Sequence, residues 1–529
     1  MRHKLETILL GSALLCVFLF LAACQKQAPR QLPLTLNIGA EPSLLNPILS
    51  TDVPSSEVTG FVFSGLFRVS HNLSLIPDLA THYEVDEQGR HYTFYLRDDV
   101  TWHDGHPFDA HDVKFTFDKI LDPKTNTVRR SNYIIEGEAI QFEVLNATTL
   151  KATLPRAFAP FLNHMTMGIL PQHLLKDEDI NTSHFNRQPV GTGPFRFETW
   201  QSAQFISLKR NETYYGQAPK LEAIILKIIP DQNTALVALE KGEIDQAGIP
   251  GKDYDRYQDH PDFDIYRYED LAYTFMGFNL KHRFFKDLKV RQALAMAVNK
   301  EVLVQHVLKG FGKTADLPMA PVSWAYPPAD KITPYPYDPE QSKALLKAAG
   351  FDLNAEGLQE KAGHVFRFTL ITNKGNKSRE KSAQLLQRFF ADIGVEMHIQ
   401  LMEWSSFIKI LNAPQDPKDF DAVMLGWSLG LDPDSFSLWH SSQYPKGFNF
   451  IAYQNPQVDD WLRQGRALQD RQARKTVYQA LYQTLAAELP YLFLYYPETL
   501  SGIQSRVQGL AAPGPAGLMN PIEAIFLKD

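Results

Sequence analysis

The stretch SREKSAQLLQRFFADIGVEMHIQLME, residues 378–403, constrains the architecture more than any other segment. It reads as a helix stopped at Gly394 that runs at once into a strand, VEMHIQLME. A helix feeding directly into a strand is the unit of α/β architecture. The same grammar recurs. DLKVRQALAMAVN places Val290, Leu294, Ala297 and Val298 on one helical face. DPEQSKALLKAAG has Asp338 as N-cap, Pro339 at the first helical position and Gly350 as stop. NTALVALEKGEID predicts a helix from near Asp231 to Gly242. Strands are expected at LTLNIGA (34–40) and along HYTFYLRDDVTW (91–102). QFISLKRN and LEAIILKIIP bracket a turn. The Pro-rich segment 314–339 is expected to be an ordered surface loop, long for a compact domain.

The first residues, MRHKLETILLGSALLCVFLFLAAC, have a basic start, an apolar run from Ile8 to Leu21, then small residues and a cysteine. That is a secretory leader rather than a structural membrane span. Leu21-Ala22-Ala23-Cys24 resembles a bacterial lipobox, which implies cleavage before Cys24 and acylation of it. The alternative is an ordinary leader cut after an alanine, with Cys24 free. Residues 1–23 are read as the leader and 24–33 as a polar, Pro-bearing tether. Cys16 lies in the leader, so no internal disulfide can form. Stability must come from apolar cores, which about 500 residues can supply across several domains. The chain carries 53 basic and 60 acidic residues with no basic run, so nucleic acid is not an expected partner. Aromatics are 12% of residues; most are core, and Tyr and Trp also suit the wall of a cleft.

Three stretches carry a resemblance: YTFYLRDDVTWHDGHPFDAHDVKFTFDKILDP (92–123), GTGPFRF (191–197) and YTFMGFNLKHRFFKDLKVRQALAMAVNKEVLVQHVLKGFG (273–312). YDPEQSKALLKAAGF and GWSLGLDPDSF add to it. The chain resembles, over nearly its whole exported length, the peptide/nickel family of extracellular solute-binding proteins of ABC transporters. The resemblance implies a type II periplasmic-binding-protein fold, α/β, with two hinged lobes and an extra domain inserted in the first. Domain I would combine residues 34–55, 186–275 and 495–529; domain II would be 56–185, and domain III 276–494. It implies further that Gly426, Trp427, Ser428, Leu429 and Gly430 line the interlobe cleft and offer backbone hydrogen bonds to an extended ligand. Trp404 and Trp427 would form its apolar walls, with plain core packing as the alternative for each. Asn279, the asparagine of the matching strand, is included in the site.

Two motifs invite other readings. HDGHPFDAHD (103–112) has the composition of a metal site. Local structure accounts for it better: Asp104-Gly105 as a turn, Asp109 as N-cap and Asp112 as its capping-box partner. GWSLG matches Gly-x-Ser-x-Gly, the nucleophile elbow of serine hydrolases. An elbow needs a helix starting at the serine. Gly430 and Pro433 oppose that, and the helical signal begins only near Asp434. His440 follows too closely to be the expected downstream partner.

The chain also departs from the peptide-binding pattern. Many relatives place an aspartate, for the peptide amine, where Gly430 stands here; some place an arginine where Met424 stands. This weakens a dipeptide ligand most, leaving a longer peptide, a nickel chelate or another small solute open. No P-loop is present, so ATP hydrolysis would belong to a separate subunit. The expectation is a monomeric, non-enzymatic receptor without cofactor or bound metal. It would be lipid-anchored in a bacterial cell envelope, face the periplasm or exterior, and serve an ABC permease with its ATPase subunits.

Overall fold

The computed structural model describes residues 32–528. The leader, Cys24 and the anchor expected there lie outside the described residues. The chain begins with β1 (Leu34–Asn37) and α1 (Val53–Val62), whose N-cap Asp52 accepts from Ser55 N. It then builds a separate sheet from β2 (Ala80–Val85), β3 (His91–Leu96), β4 (Gln141–Asn146) and β5 (Thr149–Thr153), in the order β2-β3-β5-β4. Helix α2 (Ala110–Leu121) packs on it. Strands β6 (Phe195–Gln201), β7 (Phe205–Arg210) and β8 (Ala223–Lys227) return beside β1, followed by α3 (Gln232–Glu240), β9 (Gln246–Gly248) and β10 (Phe263–Glu269).

The second lobe starts at β11 (Ala272–Phe278) and α4 (Leu288–Met296). It continues through β12 (Gly312–Thr314), α5 (Pro339–Ala348), β13 (Arg367–Asn373), α6 (Lys377–Ala391) and β14 (Glu396–Met402). Helix α7 (Trp404–Asn412), β15 (Ala422–Ser428), α8 (Phe436–Trp439), α9 (Pro456–Ala467) and α10 (Arg471–Glu488) follow. The long strand β16 (Tyr491–Gln504) closes the circuit.

A twelve-stranded sheet passes through both lobes in the order β6-β7-β8-β1-β9-β16-β11-β15-β13-β14, with β10 and β12 also on β16. Strand β16 is the link. Its residues Tyr491–Tyr495 pair with β11, and Glu498–Gln504 pair with β10. It is buried in each lobe and half-buried only at Pro497–Thr499, between them. The chain crosses a second time at Asp270-Leu271, between β10 and β11. Two adjacent crossings make a hinge: bending them moves one lobe against the other without breaking either core.

The cores follow from strand alternation. In the second lobe Met276, Met424 and Leu492 point into one apolar cluster, while Phe275, Leu425 and Phe493 point into another on the opposite face. Both faces are covered, which is why these strands read as nearly continuous apolar runs. In the first lobe Phe94 and Leu150 of the inserted sheet share one cluster with Leu34 and Ile224 of the main sheet. The inserted domain is therefore welded to its parent lobe. This is the expected α/β periplasmic-binding-protein fold, with two hinged lobes and an insertion in the first.

Two expectations are corrected. The strand predicted over 91–102 ends at Leu96. Arg97 turns back to clamp Asp99 with two hydrogen bonds of 2.9 and 2.7 Å, and the chain bends to drive Trp102 into the core. The segment 314–339 is irregular, but its first part is interior: Leu317, Met319 and Ala320 are buried. Lys300 holds it, donating to Ala315 O at 2.7 Å and to Asp316 at 2.6 Å.

Candidate functional site: the interlobe cleft

Strand β15 carries the centre of the site. It pairs along its whole length with β11, but with β13 only at Ala422 and Val423. Leu429 N donates to Leu271 O, toward β11, while Met424 O accepts from Thr372 Oγ1 on the β13 side. Backbone groups alternate along a strand. The N–H and C=O of Gly426 and Ser428 therefore face away from β11, past the end of the β13 pairing and into the cleft. A strand edge of this kind accepts an extended ligand by adding a strand.

The cleft has a volume of about 810 Å³ and takes walls from both lobes. Ile38 to Ala40, the first turn of α1 and Arg129 come from the first lobe. The second lobe contributes Met319, Arg379, Trp404 and Leu425 to Gly430. Of the residues singled out from sequence, Trp404, Gly426, Trp427, Ser428, Leu429 and Gly430 all line this one cavity. Asn279 does not. It stands just past the far end of β11, buried, and its amide donates to Lys418 O and Phe420 O at 3.3 and 2.8 Å. Its strand position, with the amide aimed at a loop, makes it a structural brace.

The two tryptophans differ. Trp404 opens α7 with Glu403 as N-cap, and its buried indole N–H has no partner among the described residues. A buried donor without a partner is costly unless something completes it. Trp427 is half-buried. It stacks with Phe450 at 6.0 Å and meets Phe448 edge-on at 5.3 Å, so it belongs partly to the core and partly to the cleft.

Sequence reasoning missed the charged groups. Arg379 sits in the first turn of α6, which Asn376 caps, and donates to Asn373 Oδ1 at 2.7 Å. No carboxylate pairs with it among the described residues. A Cβ on Gly426 would come within 3.3 Å of the Arg379 guanidinium, so glycine lets that cation lie against the open strand edge. Burial lowers the Arg379 pKa. Arg129 faces from the other lobe, held by Ser50 O at 2.8 Å; burial likewise lowers its pKa, and its Nε has no partner among the described residues. Glu57 on α1 has its pKa raised to about 8, by burial first and by Asp52 second. Its side chain reaches cleft solvent. In the sequence Arg379 is one cation in SREK, indistinguishable from a solvated helix start.

Asp432, near the missing amine clamp at Gly430, is engaged elsewhere: Arg474 grips it with two bonds of 2.8 and 2.6 Å. Asp434 is buried and held by Arg466, which also donates to Ser131 O at 2.9 Å in the first lobe. Asn412 reaches Thr51 across the cleft at 2.9 Å. The lobes are thus in contact, as in a closed receptor.

The motifs with alternative readings resolve locally. Asp109 caps α2 and forms the expected capping box with Asp112, and Gly105 sits at φ +88 in the turn. Asp112 also accepts from Trp102 Nε1 and Gln172 N, a use the sequence did not reveal. Ser428 ends its strand exposed, and the next helix begins only at Phe436.

A hinged two-lobed fold with an open strand edge, apolar walls and cations facing a cleft defines a solute-binding protein. The family model for bacterial extracellular solute-binding proteins, family 5 middle, matches residues 74–448. The chain belongs to this family. The oligopeptide-binding protein AppA of Bacillus subtilis (strain 168) is 33% identical over 535 residues, covering 96% of each chain. Its structure in complex with a nonapeptide matches with a TM-score of 0.90, over 95% of this chain and 100% of that one. NikZ from Campylobacter jejuni, solved with Ni(L-His), is 33% identical with a TM-score of 0.84, over 94% and 100%. DppA from Helicobacter pylori, solved with the peptide STSA, is 26% identical with a TM-score of 0.85, over 94% and 98%. These relatives are solute-binding proteins, and this chain is likewise not an enzyme. No helix among the described residues is long and apolar enough to cross a membrane.

Proposed function

We propose that this protein is the lipid-anchored receptor of an ABC import system and binds an oligopeptide in the interlobe cleft. One observation carries the reading: the unpaired backbone of Gly426 and Ser428 runs along the cleft beside the Arg379 cation. Main-chain pairing holds a peptide of any sequence, and Arg379 and Arg129 suit its carboxylates. Without an acid at Gly430 there is no clamp for a free amine at that point, which favours a ligand longer than a dipeptide. AppA, solved with a nonapeptide, supports this length class. The ligand holds the lobes together, and the closed form is what the permease accepts. Cys24 supplies the membrane tether through its acyl chains.

A nickel chelate is the second reading, favoured by the likeness to NikZ. No group of three or more His, Cys, Asp or Glu arranged for a metal occurs among the described residues, so a metal would arrive with its own chelator. Its carboxylates would meet the same arginines. Calorimetric titration with peptides of two to nine residues and with nickel–histidine separates the two. Peptide affinity rising with length, and falling on Arg379→Met, supports the first reading. Binding of nickel–histidine alone sinks it.

A further inference from the structure

A second cavity, of about 570 Å³, also lies between the lobes. The buried Asp434–Arg466 pair, tied to Ser131 and Asn132 across the lobes, partitions it from the peptide cleft. The short helix α8 straddles the partition. Ser437 and Leu438 face the peptide cleft, while Phe436 lines the second cavity. The size is within the usual range for a small-molecule site.

Its body is apolar. Val128, Ile134, Ile135 and Phe158 come from the first lobe, and Phe436 and Ala467 from the second. Its charge is one-sided, with Arg130, Arg156, Lys446, Arg463 and Arg466 against the single acid Glu136. Arg156 is matched by Glu136 at 2.9 Å, and Arg466 by Asp434. Arg130 donates to the carbonyls of Ile120, Asp122 and Thr125. Lys446 has no ion pair among the described residues. Arg463 approaches a carboxylate, that of Asp460, only at 4.0 Å. It lies beside His440, whose Nε2 is 3.0 Å from Arg463 Nη1, while His440 Nδ1 accepts from Ser442 N at 3.1 Å. His440 is itself stacked on Phe436 at 4.1 Å. The histidine that lies too close behind Ser428 for a hydrolase partner thus stands beside a cation on a cavity wall. In a chain of net charge −7, two uncompensated cations over an apolar pocket are a local reversal of sign.

We propose that this cavity is a second ligand site, distinct from the peptide cleft, for an organic anion with an apolar body such as a medium-chain carboxylate. The apolar walls take the hydrocarbon, and Lys446 and Arg463 take the carboxylate. Because the walls come from both lobes, the cavity has this form only while the lobes are together. The site needs the lobes together but does not depend on which solute fills the peptide cleft.

The test is calorimetric titration of the purified chain with octanoate, 1-octanol and octylamine. Octanoate is expected to bind saturably, and octanol at least about tenfold more weakly, since a charge-assisted contact is lost. Octylamine is expected not to bind. Lys446 and Arg463 project from the surface, so the double variant Lys446→Glu, Arg463→Glu should fold, as its thermal midpoint will show. It should lose octanoate binding by about tenfold or more, while Arg379→Met leaves that binding unchanged. No saturable octanoate binding, equal binding of octanol, or indifference to the charge reversal overturns the proposal. Loss on Arg379→Met instead places octanoate in the peptide cleft and also overturns it.

Discussion

Trp427 is divided between two environments, and its removal should separate them. It packs on Phe448 and Phe450 yet lines the cleft. Trp427→Ala should weaken ligand binding by about 1–3 kcal/mol, the scale of a large interface contact. It should cost less folding stability than the roughly 3–5 kcal/mol of a fully buried aromatic. Titration and denaturant unfolding on the same variant read the two effects; a stability loss with unchanged affinity would assign the residue to the core. Glu57 yields a pH prediction. Its pKa is raised in the folded chain from 4.5 to about 8. The folded form keeps a proton that the unfolded form releases, so this group makes stability fall as pH rises through that window. Glu57→Gln should flatten the decline. Contact with cleft solvent keeps the effect small, and melting temperatures from pH 5 to pH 8 measure it. An unchanged slope would show that Glu57 ionises normally.

At the scale of elements, the N-terminal part of α8 and the end of α9 form the seam between lobes. Arg466 and Asp434 are 6–7% and 5% exposed and bind each other at 2.8 Å. Arg466→Met leaves a buried carboxylate without its partner, which should cost about 3–5 kcal/mol. Adding Asp434→Leu should recover much of that loss, because an apolar pair replaces an uncompensated charge. A double-mutant cycle by chemical denaturation checks this; an additive result would mean that the two do not act as a pair. The element-level signals that were legible were local. Asp338, Asp231 and Asp109 cap the helices expected of them, since each bond spans only two or three residues. What escaped was decided at a distance. Lys300 draws residues 315 and 316 inward from a different helix, which no local pattern encodes.

For the whole molecule, the proposed tether is residues 24–33, most of which lie outside the described residues. Cys24→Ser should release the protein from membranes, since the acyl chains are the proposed anchor. Fractionation of cells expressing the variant tests this, and retention after normal leader cleavage would refute the lipobox reading. The hinge at Asp270-Leu271 and Pro497–Thr499 lets the lobes move as bodies, because each keeps its own clusters. Arg379, Arg129 and the open edge of β15 come together only through that arrangement. Arg379 and Gly426 are far apart in the chain yet in contact in the fold.

The sequence by itself determined the capped helices and the apolar strands, which depend on periodicity and short-range hydrogen bonds written along the chain. The two-lobed fold and the GWSLG segment as cleft wall were what its resemblance to a known family implied. Tertiary structure alone decided which charges face the cleft, that Asn279 braces a loop, and that Asp432 and Asp434 are bound by Arg474 and Arg466. An arginine looks the same in sequence whether water, a carboxylate or a ligand completes it. Only the packing of distant elements decides which each arginine meets: Arg466 and Arg474 meet carboxylates, while Arg379 and Arg129 line the cleft.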